Sequence, residues 1–357
     1  MSSKRDAIET FGPEAESHRR EKIVGRRARV VALTGADSLI GRNLIALLEE
    51  DHFVERVVAL DISLPEGAGL PKGLGSKSRF YKVDLTRPGV GARLVEIFQT
   101  ESVETVVHLA FLSNPVHALA WSHELESAGT MHVLNACGDH GIAHFILASQ
   151  TMLYGPLPQN PNFLTEEHPL RGIRGSSCLT DKIQAEHETS RFSEAYPQTL
   201  VTVLRLAPII GPTVSNLVTK WLSRRLVPTV LGFDPLIQLL HEMDAIAAFK
   251  HALDHPTEGV FNVVGEGVLP LSKVIKLAGR FMLPVPESVL HTATRLLWSL
   301  RVADAPAEFV RYLRYLCVAD GQRCMEELGL VPAFSTREAV LDFVGALRMR
   351  EARLLGR

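Results

Sequence analysis

The chain has 357 residues and a formal net charge of −2 at pH 7. Its near balance of acidic and basic side chains gives no basic surface, so we expect no nucleic-acid partner. The length suits one large α/β unit with an attached lobe. Four cysteines without the paired spacing of a metal site predict no metal centre and a reducing, cytoplasmic location.

The first 27 residues are polar and charged. They contain no apolar run with the length of a signal peptide or a membrane span. We interpret residues 1–27 as a flexible leader, and the sequence predicts no membrane span.

Short apolar runs alternate with helical patterns from residue 28 to about residue 207. Such alternation predicts right-handed βαβ units, and hence an α/β fold with a doubly wound parallel sheet. The predicted strands lie at 29–34, 56–61, 79–83, 104–110, 143–148 and 200–206. Ligands of such sheets bind beyond the carboxyl ends of the strands.

The first predicted strand runs into a turn with spaced glycines. The chain reverses at Thr34-Gly35, and Gly41 lets the following helix pack close to the sheet. Ser38 takes the place of the usual middle glycine and opens the helix. The backbone N–H groups of the first helical residues would face a pyrophosphate, and these residues are Leu39 and Ile40. The pattern predicts a dinucleotide-binding domain over residues 28–207.

Asp61 ends the second apolar run, about twenty residues past the glycines, where an acid binds ribose hydroxyls. A carboxylate there repels a 2′-phosphate, so the sequence favours NAD over NADP. The cation of Arg42, next to the turn, weakens this inference. A solvated acid at a strand end is the other interpretation of Asp61.

The pattern changes after Arg205, where prolines interrupt the alternation. We predict a smaller substrate-binding lobe over residues 208–357, with some segments returning to the main sheet. The segment 286–302 is amphipathic, with Leu290, Leu297 and Trp298 among its apolar residues. Packing against the lobe is favoured over a role at a membrane surface or with a lipid substrate.

From about residue 28 to residue 345, the sequence resembles the extended short-chain dehydrogenase/reductase family in its NAD-dependent epimerase/dehydratase branch. The motifs that carry the resemblance follow the family's order: Thr34-Gly35 with Gly41, Asp84-Leu85, Leu109-Ala110, Ser149 to Gly155, Arg205 to Pro212, and Leu240 to Ala245. The resemblance implies a Rossmann fold with bound NAD. It places Asp84 and Leu85 near the adenine, with Leu109 and Ala110 beside the cofactor.

Residues 226–241 resemble a sub-branch labelled as UDP-glucose 4-epimerase-like. This implies a small-molecule substrate such as a nucleotide sugar, with Arg224 or Arg225 near its phosphate. The other interpretation is that the two arginines are solvent-exposed charges of a helix. The family also forms homodimers through the helices around 117–139 and 175–196. The side chains available for such contacts are Trp121, Met131 and Leu134, and a position facing the sheet is the other interpretation of these three residues.

The family's chemistry uses a tyrosine four residues before a lysine on one helix face, with a nearby serine or threonine that orients the substrate oxygen. Lys182 takes the lysine position, where it would also hold the cofactor, but Cys178 stands at the tyrosine position and Gln150 at the hydroxyl position. A cysteine is too short to reach where a phenol acts, although its pKa of about 8.5 permits proton exchange. Gln150 donates a hydrogen bond but relays no proton. Thr151 replaces the hydroxyl only if the strand end shifts register.

The sequence also predicts the location of four further residues near these positions. Glu126 occupies a helix position where the family often has asparagine, and Tyr154 stands where the family has a tyrosine near the substrate. We expect His108 to be a hydrogen-bonded core histidine. Asp181 points about 100° away from Lys182 around the helix, so we expect it at the surface.

Two hypotheses about function follow. The first is an NAD(P)-dependent oxidoreductase or epimerase/dehydratase that acts on a nucleotide sugar or a related hydroxyl or carbonyl compound. The second is a catalytically degenerate NAD-binding protein with a structural or sensing role, suggested by Cys178 and Gln150. A weaker third hypothesis, reduction of a lipid-like carbonyl, rests on the apolar segment 286–302.

Overall fold

The computed structural model describes residues 29–64 and 75–355, so the predicted leader at 1–27 lies outside the described residues. The strands in chain order are β1 (Val30–Thr34), β2 (Arg56–Asp61), β3 (Ser78–Lys82), β4 (Thr105–His108), β5 (His144–Gln150), β6 (Leu200–Leu206), β7 (Ile209–Ile210), β8 (Leu226–Val230), β9 (Leu236–Ile237), β10 (Leu240–His241), β11 (Gly259–Val263), β12 (Leu269–Pro270) and β13 (Phe281–Val285). The α-helices are α1 (Leu39–Glu50), α2 (Val90–Glu101), α3 (Leu119–His123), α4 (Gly129–His140), α5 (Ser177–Ala195), α6 (Leu217–Ser223), α7 (Glu242–Asp254), α8 (Leu271–Leu277), α9 (Glu287–Ser299) and α10 (Thr336–Leu355). Shorter helical segments are a π turn at Glu124–Ala128 between α3 and α4, a second π turn at Cys324–Leu328, and 3₁₀ segments at Thr151–Tyr154 and Ala307–Leu313.

Seven strands form one parallel sheet in the order β11-β6-β5-β4-β1-β2-β3. The predicted doubly wound α/β fold is therefore confirmed, and the six predicted strands match within two residues at each end. The central strands are buried on both faces, as in β1 and β6 where every residue is buried, because helices cover the sheet on each side. The strand order reverses between β1 and β4, the switch point at which ligands of such sheets bind.

Two apolar cores lie on the two faces of the sheet. Leu44 of α1 and Phe249 of α7 belong to one core. Phe98 of α2 and Val133 of α4 belong to the other. The sheet therefore has helices on both faces and is held rigidly at the strand ends.

After residue 207 the chain follows a different plan. Strand β11 returns to the main sheet beside β6, while the other segments form three two-stranded sheets, β7 with β10, β9 with β12, and β8 with β13. A separate apolar core, which includes Leu222, Ile275 and Phe343, joins α6, α8 and α10. We call this part of the chain the C-terminal lobe; the boundary at residue 207 stays a prediction.

Helix α9 covers most of the amphipathic segment 286–302 but buries little of its apolar side. Leu290 is buried, whereas Leu296 is 60% exposed and Leu297 is 41% exposed. Trp298 stacks on His117, with 3.8 Å between the ring centroids. The expected packing against the lobe therefore holds for Leu290, and much of the remaining apolar surface faces outward. Within 29–64 and 75–355, no helix combines the length and apolar character needed to cross a membrane.

Candidate functional site

The glycine turn after β1 has no room for larger residues. Gly35 adopts a φ of +68°, and a Cβ atom there would lie 2.7 Å from the carbonyl carbon of Leu109. A Cβ atom at Gly41 would lie 2.5 Å from the carbonyl oxygen of Gly35. Both positions therefore require glycine, Gly35 because of its positive φ and the backbone after β4, and Gly41 because α1 starts in direct contact with the turn.

Helix α1 begins directly after this turn. Ser38 caps the helix, and its Oγ accepts a hydrogen bond of 3.0 Å from the backbone N–H of Gly41. The N–H groups of Leu39 and Ile40 lie in the first turn, where α-helices have no internal acceptors. Ser38, Leu39 and Ile40 line a cleft, so this helix end fits the pyrophosphate of a dinucleotide.

The carboxylate of Asp61, at the end of β2, is held by two backbone groups. It accepts hydrogen bonds from the N–H of Asp37 at 2.8 Å and from the N–H of Ile62 at 2.7 Å. Each carboxylate oxygen has further acceptor capacity, which suits the hydroxyls of a ribose. Burial raises the pKa of Asp61, and the neighbouring Asp37 carboxylate raises it further. Arg42 is engaged by Asp37 at 3.3 Å.

Of the other residues predicted to contact the cofactor, Leu85 and Thr34 are buried in the fold, and Asp84 is partly exposed. Asp84 accepts hydrogen bonds from the N–H and the hydroxyl of Thr86 at 3.0 and 2.7 Å, and these keep its pKa low. Leu85 is buried in the core beneath this turn. Thr34 is buried, with its Oγ1 2.6 Å from Nδ1 of His108.

A cleft of about 240 Å³ lies at the carboxyl ends of the strands, where the strand order reverses. Seven of the predicted site residues line it: Ser38, Leu39, Ile40, Leu109, Gln150, Cys178 and Lys182. The predicted residues that do not line it are Thr34, Gly35, Gly41, Asp61, Asp84, Leu85, Ala110 and Thr151. The cleft thus brings the glycine turn and the predicted catalytic helix to one place.

Lys182 forms a buried ion pair that the sequence did not predict. Its Nζ lies 2.5 Å from Oε1 of Glu126, which is fully buried, and donates to the carbonyl of Leu112 at 3.1 Å. Glu126 lies in the π turn between α3 and α4, a distortion that is frequent at functional sites. An ammonium has three donors, so the contacts with Glu126 and Leu112 leave one for a hydroxyl in the cleft.

Cys178 lines the cleft one helical turn before Lys182. Burial raises the pKa of the thiol to about 11; the charge of Lys182 lowers it, but Glu126 opposes that effect. At neutral pH the side chain is therefore a protonated thiol. It donates a proton more readily than it accepts one.

The end of β5 keeps the regular register that places Gln150 at the cleft. Gln150 pairs with Leu206 of β6, and Ser149 with Arg205, without a shift. Thr151 follows in the 3₁₀ segment, is buried, and does not line the cleft. The hydroxyl replacement by Thr151, which depended on a register shift, therefore has no structural support.

Tyr154 is a core residue and not a group beside a substrate. It is buried, its hydroxyl donates to Oδ1 of Asn262 at 2.8 Å, and it accepts from Nη1 of Arg205 at 2.9 Å. Burial raises its pKa. The guanidinium of Arg205 also binds the buried Glu186 at 2.7 Å. This network fixes the end of β6 and leaves the phenol unavailable for proton transfer.

His108 behaves as expected, whereas Asp181 does not. The ring of His108 lies between Thr34 and Thr130, and its Nε2 is 3.0 Å from the hydroxyl oxygen of Thr130. Burial lowers the pKa of His108 to about 3. The predicted surface position of Asp181 is wrong: it is buried and lies 2.8 Å from Nδ1 of His123. The reason is that α3 packs over that face of α5.

The three side chains considered for dimer contacts differ in their exposure. Trp121 and Met131 are exposed. Leu134 is buried in the core, because it faces the sheet, so it is not available for a contact between subunits.

Comparisons with known proteins agree on one family. The model of the NAD dependent epimerase/dehydratase family matches residues 31–264. An uncharacterized protein of Mycobacterium tuberculosis (strain H37Rv) is 31% identical over 318 residues, which cover 88% of this chain and 83% of that protein. The chain therefore belongs to the NAD dependent epimerase/dehydratase family.

Solved structures share the fold at low sequence identity. A dTDP-glucose 4,6-dehydratase from Bacillus anthracis in complex with NAD is 16% identical, with a TM-score of 0.67 over 91% of this chain and 98% of that chain. A UDP-glucose 4-epimerase from Thermotoga maritima with UDP-glucose is 20% identical, with a TM-score of 0.66 over 90% and 99% of the two chains. A UDP-glucuronic acid 4-epimerase from Bacillus cereus with UDP-glucuronic acid and NAD is 17% identical, with a TM-score of 0.66 over 90% and 99%.

Proposed function

We propose that this protein is an NAD-dependent enzyme that interconverts a hydroxyl and a carbonyl group on a small molecule bound in the cleft. The observation that carries the proposal is Lys182, which lines the same cleft as the N-terminus of α1 and whose ammonium group is held by Glu126 and by the carbonyl of Leu112. Bound NAD would accept or supply the hydride. The family and the folds of NAD-bound enzymes support the same conclusion.

NAD is the proposed cofactor in preference to NADP. Asp61 and Asp37 place two carboxylates where a 2′-phosphate would lie. The sequence left Arg42 as a cation that would attract such a phosphate, but Asp37 pairs with it. We expect Asp61→Ala to weaken NAD binding about tenfold, from the loss of hydrogen bonds to the ribose, and to reduce the preference over NADP. Calorimetry with both nucleotides measures this, and the exposed Asp139→Ala provides the control.

Cys178 and Gln150 both line the cleft, and we propose that they divide the work of the usual tyrosine and serine on a substrate oxygen that lies closer to α5, because the thiol is too short to reach where a phenol would act. The thiol, with a pKa of about 11, would give a proton to the oxygen of a carbonyl that is being reduced. The amide of Gln150 would donate a hydrogen bond to the same oxygen. At neutral pH this arrangement favours reduction of a carbonyl over oxidation of an alcohol.

The substrate, the oligomeric state and the cytoplasmic location stay predictions. Nucleotide sugars appear in the names of the solved structures with this fold, and they are the first substrates to test. A homodimer through the surfaces of α3, α4 and α5 remains compatible with the exposed Trp121 and Met131.

The test combines cofactor binding with turnover. We expect the purified full chain to bind NAD, to turn over at least one member of a panel of UDP-sugars, alcohols and ketones, and to lose turnover in Lys182→Ala. The exposed Lys273→Ala is a matched control that should change neither property. NAD binding without any turnover would instead favour the catalytically degenerate alternative, which the family comparison does not support. Absence of NAD binding would refute both.

A further inference from the structure

A second cavity, of about 400 Å³, lies in the C-terminal lobe beside the cleft. We call it the lobe cavity. The residues that line both spaces are Met152, Pro208, Leu217, Val218 and Phe309. The two spaces therefore lie side by side, and a ligand that extends from Lys182 into the lobe would pass along these five residues. The volume falls within the range of about 300–1,000 Å³ that is typical of small-molecule sites.

The lining of the lobe cavity is apolar nearly throughout. Its walls come from α6, α8, α9 and the 3₁₀ segment Ala307–Leu313, with side chains such as Leu222, Val274, Leu290 and Val310. Apart from two tyrosines, one cysteine and the indole of Trp221, the polar side chains of the lining are those of Arg224, Gln238, Thr294 and Asp304.

Two of the polar groups in this lining are already engaged with the protein backbone. The side chain of Gln238 donates to the carbonyl of Ala319 at 3.0 Å and accepts from its N–H at 2.9 Å. The hydroxyl of Tyr312 donates to the carbonyl of Met152 at 2.6 Å. Neither group is available to a ligand without the loss of a hydrogen bond within the fold.

The charges around the two spaces also cancel. Among the described residues that line the lobe cavity, Arg224 is the only cation, and it lies 2.6 Å from Asp304. In the described lining of the cleft, Lys182 is the only cation, and it is paired with Glu126. An anionic diphosphate in the lobe cavity, away from the N-terminus of α1 that fits the pyrophosphate of NAD, would lose its hydration without an unpaired cation in the described lining to replace it, and such burial is costly. Arg224, which the sequence placed near a nucleotide-sugar phosphate, therefore does not offer an uncompensated charge.

We infer that the substrate carries an uncharged apolar body, such as the hydrocarbon part of a long-chain alcohol or ketone, which fills the lobe cavity while its oxygen lies near Lys182. The inference rests on the proposed function, because it names the class of substrate for that same site. It favours the lipid-like carbonyl, the third of the hypotheses drawn from the sequence, over the nucleotide sugar.

The route into the lobe cavity is also apolar. Leu297 and Val302 line the cavity and are 41% and 66% exposed, so the lining reaches the surface at and just beyond helix α9. The ion pair of Arg224 with Asp304 also belongs to this lining, and its two charges compensate each other, so a hydrocarbon group can enter along Leu297 and Val302. The outward-facing apolar side of α9 would thus form the mouth of the cavity.

A fluorescent probe tests the occupant. The full chain, with and without NAD, is titrated with the uncharged dye N-phenyl-1-naphthylamine, which brightens in apolar surroundings. Bound dye is then competed with 2-dodecanone or with UDP-glucose. Saturable dye binding that the ketone displaces and UDP-glucose leaves intact supports the inference. Absence of dye binding, failure of the ketone to displace it, or displacement by UDP-glucose overturns it.

Two matched pairs of variants locate the dye. Leu297→Glu places a charge in the lining and should weaken dye binding at least about tenfold. Leu296→Glu puts the same charge on the same helix, at a 60% exposed side chain outside the lining, and should leave the binding unchanged. Val302→Glu and Leu300→Glu form a second pair, also exposed, in case one substitution impairs folding. Equal effects within both pairs would mean that the dye binds the outer surface, which overturns the inference.

The result is separable from the proposed function. Failure of NAD binding with intact dye binding refutes the function and leaves the lobe cavity as an apolar site. Normal NAD binding and turnover of UDP-glucose, with no dye bound, refute the inference about the substrate and leave the function intact.

Discussion

The ion pair of Lys182 with Glu126 allows a quantitative test, because each partner can be made neutral separately. Glu126→Gln keeps an acceptor for the N–H of Leu112, which now donates to Glu126 at 2.9 Å. Lys182→Met keeps the length and the apolar stem of the side chain. The double variant removes both charges and keeps the packing.

The expected magnitudes follow from burial. The side chain of Glu126 is fully buried and that of Lys182 is 8% exposed, so solvent screens neither charge. Removal of one partner leaves the other charge uncompensated, which costs about 3–5 kcal/mol of unfolding free energy. Replacement of both partners by neutral groups of similar size is close to neutral. We therefore expect the two single losses together to exceed the loss in the double variant by about 3 kcal/mol or more.

Urea unfolding at pH 7, followed by circular dichroism, measures all four proteins. The exposed pair Arg93–Glu96, with side chains 52% and 64% exposed, provides the control. Glu96→Gln should change the unfolding free energy by less than about 1 kcal/mol. If the single variants at Glu126 and Lys182 cost no more than this control, or if their effects simply add, the two charges are not coupled and the account of the site is wrong.

Two further predictions concern the turn and the thiol. Gly35→Ala should abolish NAD binding in calorimetry, because of the φ of +68° and the contact with Leu109. The control is Gly89→Ala, at a φ of +80° with open space around it, which should strain the backbone locally but leave the NAD affinity unchanged. Equal losses of affinity in the two variants would refute the steric argument. If Cys178 is the acid and base, the rate of alcohol oxidation should rise about tenfold per pH unit until the pH approaches the thiol pKa of about 11, because only the thiolate accepts a proton. A plateau near pH 7 in the pH–rate profile, or an unchanged profile in Cys178→Ser, would show that another group acts.

The sequence predicted the parts of the site that depend on local structure. The positive φ of Gly35 and the close approach at Gly41 belong to a turn within a few residues, and Lys182 follows from the spacing along a single helix. The strands were predictable because parallel strands buried on both faces are continuous apolar runs.

What the sequence missed depends on which faces of distant elements meet. Glu126 and Lys182 are 56 residues apart, and their contact requires the π turn and the packing of α5 against it. The surface position expected for Asp181 was wrong for the same reason, since it lies on a helix face that a neighbour covers, and of the two positions left open for Leu134 the structure shows the one that faces the sheet. The lobe cavity likewise follows from the assembly of several helices and has no motif of its own.

The four cysteines, of which Cys137 and Cys324 are buried and Cys178 and Cys317 are partly buried, have a consequence for the chemical resistance of the protein. Burial raises the pKa of every one of them: Cys178 to about 11, Cys317 and Cys324 to about 12, and Cys137 well above its usual range. Peroxides, alkylating agents and disulfides react with thiolates, and at pH 7 only on the order of 10⁻⁴ of Cys178 is ionised. A protein with a cysteine on the wall of its cleft should therefore tolerate iodoacetamide and hydrogen peroxide at neutral pH almost as if that cysteine were absent.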